Sequence, residues 1–131
     1  MRRLVSAVAV VALLGLASVA LAAGGPSGKY RAKINGFAEG ISIKGTWVIS
    51  ISKGTYRVTD NGHAVTHGKY TIKGNKITLK DAKGPNACPV KGVYKFRLSG
   101  KKLRFTEVFD SLSPACAGRV GVLSHTFTRV G

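Results

Sequence analysis

The chain predicts an all-β protein, an antiparallel up-and-down barrel of eight strands with one disulfide. Three observations lead there. A Gly-x-aromatic motif recurs at Gly28-Lys29-Tyr30, Gly45-Thr46-Trp47, Gly54-Thr55-Tyr56, Gly68-Lys69-Tyr70 and Gly92-Val93-Tyr94, each time heading a run in which apolar and polar residues alternate. A glycine frees the backbone for a turn or bulge, and the aromatic two residues later begins the inward face. The connectors Lys53-Gly54, Asn61-Gly62, Gly74-Asn75 and Gly100 carry the turn residues of hairpins between sequential strands. Beyond the N-terminal stretch no segment sustains a helical period, although Gly36 to Ser42 has room for one turn of helix.

The elements follow in order. Arg2 and Arg3, the apolar run Leu4 to Leu16 and the small-x-small Ala20-Leu21-Ala22 read as a secretory signal peptide over residues 1–22, cut after Ala22. A retained membrane anchor is the other reading of that run. No cysteine follows it, so lipid attachment through a cysteine at the cut is excluded. Residues 23–28, rich in Gly, Pro and Ser, are expected to form a flexible leader, and residues 29–131 a single barrel domain. Strands are expected at Lys29–Asn35, Gly45–Ser52, Thr55–Asp60, Gly68–Lys73, Lys76–Asp81, Gly92–Ser99, Lys101–Val108 and Val122–Val130.

Alternation sorts their side chains onto two faces. Trp47, Ile49, Ile51, Tyr56, Val58, Tyr70, Ile72, Ile77, Leu79, Tyr94, Phe96, Leu98, Leu103, Phe105, Leu123 and Phe127 fall on one. Lys69, Lys73, Lys76, Lys80, Lys95, Arg97, Lys102 and Arg104 fall on the other. No helix in the chain is long enough to cover the apolar face, so the sheet is expected to close on itself, which also removes its edges. A sandwich of two four-stranded sheets satisfies the same pattern, but the nearly continuous hairpins favour the barrel.

The two cysteines, Cys88 and Cys116, in a chain expected to leave the cytoplasm, read as one disulfide. Closing that loop contributes roughly 3 to 4 kcal/mol. A metal site or nucleophilic thiol there lacks evident partner residues.

Gly45-Thr46-Trp47 followed by Ile49 and Ile51 resembles the Gly-x-Trp strand of lipocalins and the wider calycin group. In that group a basic residue near the end of the last barrel strand packs across the Trp. The resemblance assigns that role to Arg129, which shares the parity of Phe127. The chain is also similar to small secreted bacterial lipocalin-like proteins through Cys88, Gly92, Tyr94, Cys116, Gly118, Arg119 and Leu123. It departs from the lipocalin pattern in having a strand before Gly-x-Trp and no helix after the barrel. The resemblance implies a barrel that binds a small molecule in its interior.

The interior of such a barrel would place Tyr56, Tyr70, Tyr94 and Phe127 around a small apolar or amphipathic ligand. Glu107 and His125 interrupt the apolar faces on consecutive strands; facing each other near one mouth they would orient a polar group. The alternative is an exposed Glu107 at a strand end and a structural His125. Glu39, Asp60, Asp81, Glu107 and Asp110 are scattered, with no paired-carboxylate spacing, and no nucleophile elbow or phosphate loop is present. The reading is therefore a non-enzyme without a cofactor. His63 and His67 flank a turn, so no metal site is expected.

The formal net charge is +16, of which the signal peptide carries two. Such a chain favours anionic surroundings. Lys95 and Arg97 are expected beside Lys102 and Arg104, a costly placement that suits docking on an anionic cell-envelope polymer or a protein partner. The plainer alternative is that these charges keep a secreted monomer soluble. Nucleic acid is not expected, because the aromatics needed for stacking point inward.

Overall fold

In the computed structural model the described residues are 25–131, and the expected signal peptide with its cut after Ala22 lies outside them. The alternating runs form β1 (Gly28–Ile34), β4 (Gly45–Ser52), β5 (Thr55–Asp60), β6 (His63–Lys73), β7 (Lys76–Asp81), β8 (Gly92–Ser99), β9 (Lys102–Phe109) and β10 (Phe127–Val130). Two short strands, β2 (Phe37–Ala38) and β3 (Ile41–Ser42), and one helix, α1 (Pro114–Leu123), complete the chain. The eight long strands form a closed antiparallel barrel in sequential order, with β1 sealing the gap between β10 and β4. The sandwich alternative is thereby excluded.

Closure depends on the shortest strand of the barrel. β10 pairs with β9 through Phe127↔Leu103 and Thr128↔Lys102, and with β1 through Lys29↔Val130, Tyr30↔Arg129 and Arg31↔Thr128. The β4–β5, β6–β7 and β8–β9 connections are tight hairpins at one end. The opposite end carries the β2–β3 hairpin, the Ala82–Lys91 loop and α1. We call these the hairpin end and the helix end.

Several expectations need correction. The last strand was expected over Val122–Val130, but the chain is helical to Leu123 and extended only from Phe127. Pro114 opens the helix with its pre-set φ, and Ala115 and Ala117 favour it. Gly118 and Gly121 conceal it from a reading by hydrophobic period. Gly121 has a packing reason: a Cβ there would lie 2.4 Å from that of Ala38, so the helix sits directly on β2. The expected helical turn in Gly36–Ser42 is instead the β2–β3 hairpin, turned at Glu39 and Gly40 with φ of 48° and 79°. β6 begins at His63 rather than Gly68, so His63 and His67 are exposed positions on one strand. The expected leader is docked from its described part onward, with Pro26 buried and Gly25 against Ile72.

Tyr30, Tyr94, Leu103 and Phe127 are buried on the β1–β10–β9–β8 side. Phe105 meets both Tyr94 and Phe127 edge-on, with ring centroids 6.3 and 6.2 Å apart. Trp47 is buried across the barrel and its indole N–H donates to the Ile43 carbonyl at 2.8 Å. Arg129 does lie over an aromatic ring, but the ring is that of its cross-strand partner Tyr30, 5.9 Å away, rather than Trp47.

Because Phe127 is both core and seam, Phe127→Ala is expected to cost about 3 to 5 kcal/mol in denaturant unfolding. Leu98→Ala, at a half-exposed position on the same face, is expected to cost much less.

Candidate functional site

The β4–β7 side of the interior is not filled. A cavity of about 360 Å³ lies between that wall and α1. Trp47, Ile49, Val58, Leu79, Phe105 and Val122 are among its apolar walls, and Ile41 and Ile43 from the β3 region border it. Tyr56, Asp81 and Arg119 form its polar sector, and Asn86 and Asp60, the latter packed against Gly45, also border it.

That sector belongs to a network linking three separate stretches of chain. Asp81 ends β7, Asp110 follows β9 directly, and Arg119 lies midway along α1. Arg119 donates through Nε to Asp110 Oδ2 at 2.8 Å and through Nη2 to Asp110 Oδ1 at 2.7 Å, a two-pronged bond of the kind that fits guanidinium to carboxylate. Nη2 also donates to the Val90 carbonyl at 2.6 Å, and Nη1 lies 3.6 Å from Asp81 Oδ1. Tyr94 donates its hydroxyl to Asp110 Oδ2 at 2.5 Å, and Tyr56 donates to Asp81 Oδ1. The backbone N–H of Cys88 donates to Asp81 Oδ2 at 2.8 Å. The Cys88–Cys116 disulfide stands beside this network, with Cα atoms 4.7 Å apart. Cys116 is one helical turn before Arg119, so covalent and ionic ties secure the same face of α1.

Burial governs the chemistry. The side chains of Asp110, Asp81 and Arg119 are 0, 2 and 9% exposed. Burial alone pushes the Asp110 carboxyl up, but the bonds from Arg119, Tyr94 and the Ser111 N–H push it further down, below its ordinary 3.8. Burial works against the Arg119 charge, and Asp110 with Asp81 more than restores it. The Tyr56 and Tyr94 phenols are driven well above 10.0, first by burial and then by Asp81 and Asp110 respectively, so both remain donors.

Two glycines of the recurring motif create the space this requires. A Cβ on Gly68 would lie 2.1 Å from the Lys80 carbonyl and 2.6 Å from the Tyr56 hydroxyl. The Tyr56 ring therefore crosses β6 over Gly68 to reach Asp81, along the register row Tyr56↔Gly68↔Asp81. A Cβ on Gly92 would lie 2.6 Å from Asp110 Oδ2 and 2.9 Å from Arg119 Nη2.

Of the expected ligand contacts, Tyr56 lines the cavity. Tyr94 and Phe127 are in the packed half, and Tyr70 is half-buried against the core. Glu107 and His125 do not form a facing pair: Glu107 is exposed opposite Tyr94, while His125 occupies the bend after α1, on no strand. The parity that joined His125 to Leu123 and Phe127 runs through a helix end and has no meaning there. The expected anionic-surface residues Lys95, Arg97, Lys102 and Arg104 are all exposed on β8 and β9.

The network is not legible in the spacing of its residues. Asp81 and Asp110 are scattered along the chain, and Arg119 stands out only through the resemblance. Asp81 and Asp110 each close a strand before a long connector, and each connector carries one cysteine. Joining the cysteines brings the two acids together, and that was the available signal. No protein-family description, curated protein or solved structure matches the chain.

Two expectations follow from the network. Asp110 is held below its ordinary value, so its stabilisation is fully present above about pH 4 and fades as pH falls further. The thermal midpoint should drop below pH 4, and Asp110→Asn should flatten that drop while lowering the midpoint at pH 7. Gly68→Ala should cost about 1 to 3 kcal/mol, because its methyl meets rigid backbone; an unchanged melting curve would mean that Tyr56 does not cross β6 there.

Proposed function

We propose that the chain is a secreted, non-catalytic, lipocalin-like barrel that takes a small apolar or amphipathic molecule into the cavity beneath α1. The cavity carries this reading. Its volume of about 360 Å³ falls within the roughly 300 to 1,000 Å³ of small-molecule sites, and its walls are mostly apolar with a few convergent polar groups. Exposed large hydrophobics also favour the helix end: Phe37, Ile41, Val90, Phe109 and Leu112 all stand on or beside its loops. An apolar rim suits the entry of an apolar guest. The disulfide agrees with an extracytoplasmic setting.

Native mass spectrometry of protein purified from its own source is expected to show one retained small molecule. Val58→Trp, which fills the cavity from β5, should abolish that retention, whereas Arg97→Glu with Arg104→Glu should preserve it. Retention that survives Val58→Trp would place the guest elsewhere.

A second reading, docking of the basic wall on an anionic envelope polymer, rests on a separate observation. Arg97↔Arg104, Lys69↔Lys80, Lys73↔Lys76 and Lys76↔Lys95 are directly opposed across neighbouring strands. Opposed like charges weaken a sheet, and a polyanion would relieve the cost. Arg97→Glu with Arg104→Glu should reduce the salt needed for elution from an anionic matrix more than Lys29→Glu with Lys33→Glu, an equal charge change on β1. Equal reductions would leave only net charge.

A further inference from the structure

We infer that the molecule recognised in this cavity carries an uncharged oxygen headgroup, best a hydroxyl, on an apolar chain, and that Arg119 holds it. This rests on the cavity reading above and specifies the ligand class. Arg119 has its Nε and Nη2 committed to Asp110 and the Val90 carbonyl, but Nη1 has no hydrogen-bond partner although it is buried. Nη1 lies 3.6 Å from Asp81 Oδ1, beyond hydrogen-bond reach, and Arg119 is part of the cavity wall. A buried guanidinium N–H left unpaired is costly, so an acceptor supplied by the guest is worth more here than at the surface.

Charge decides which acceptor fits. The single positive charge of Arg119 already faces two carboxylates, Asp81 and Asp110. No cation is left in this sector to neutralise a carboxylate or phosphate headgroup, which would be desolvated against Asp81. An ammonium would meet the excess carboxylates, but it has no lone pair for Nη1 and would face the guanidinium. A hydroxyl accepts from Nη1 and keeps its own hydrogen for a carboxylate oxygen. The cavity of about 360 Å³ has room for a chain of about eight carbons with its headgroup.

The test compares octan-1-ol, 1-chlorooctane, octanoate and octylamine at pH 7, titrated into the folded protein and followed through the methyl resonances of Val58, Leu79 and Val122. Octan-1-ol is expected to bind at least tenfold more tightly than the other three. The chloroalkane is the deciding control, because it is as apolar and as long but offers no hydrogen-bonding oxygen. Equal binding of chlorooctane and octanol would overturn headgroup recognition while leaving the cavity reading intact. Tighter binding of octanoate or octylamine would overturn the charge argument. If none of the four moves these methyls, the cavity reading falls, and the headgroup with it. Arg119→Lys, checked for folding by its melting curve, should reduce the octanol preference over chlorooctane to less than threefold; an undiminished preference would contradict the role of Arg119.

Discussion

The two-pronged bond of Arg119 to Asp110 and its ion pair with Asp81 are the constraint on which the helix end depends. Three carbon-chain segments distant in sequence, the ends of β7 and β9 and the middle of α1, meet at one guanidinium. Burying such charges is expensive, and removing one partner of a set like this leaves an uncompensated charge behind. Here the desolvation is offset by further donors to the carboxylates: Tyr94, Tyr56, and the N–H groups of Ser111 and Cys88. The result is positional. Secured by the disulfide at Cys116 and by Arg119 one turn later, α1 lies across the helix end of the barrel rather than sinking into it, and the space beneath it persists.

Glycine makes that arrangement sterically feasible. At Gly28, Gly45 and Gly54 the motif glycine adopts a positive φ, which costs a residue without a Cβ little. At Gly68 and Gly92 it does not; the absent side chain is replaced by the Tyr56 ring in one case and by Asp110 with Arg119 in the other. A single recurring sequence feature thus serves two physical purposes. The barrel's inner surface is divided accordingly: Tyr30, Tyr94, Phe105 and Phe127 pack the β1–β10–β9–β8 side, and the β4–β7 side carries Trp47, Tyr56, aliphatics and the polar network around the cavity.

Much of the barrel could be read from period and turn chemistry. β4, β5, β7 and β8 begin and end at the expected residues, because each is bounded by a glycine, asparagine or charged turn and alternates throughout. α1 escaped because its short, glycine-interrupted run has no clear apolar stripe, and its placement is tertiary: a disulfide, an ion network and the β2–β3 hairpin hold it. The same reason hid the site. Nothing local distinguishes Asp81 from any strand-ending acid or Arg119 from any helical arginine; convergence belongs to the closed barrel. The Glu107–His125 pairing failed because strand parity was carried through residues that are not a strand, and Arg129 found Tyr30 because the register of β1 and β10 places them opposite each other.

The distribution of charge completes the picture. The exterior of β6–β9 is cationic to the point of self-opposition, while three of the chain's five acids border or support the cavity. A basic coat and an acid-lined interior ask for different partners, and the closed wall keeps them apart. The most direct test of the buried network is the Arg119 Nε–H itself, followed by nitrogen-15 NMR in unmodified protein at neutral pH. Bonded to Asp110 beneath α1, it should exchange with solvent as slowly as the barrel amides of β8 and β9. Exchange as fast as that of the exposed Arg97 and Arg104 guanidinium groups would mean that Arg119 is not held between the two aspartates, and that the helix has no such anchor.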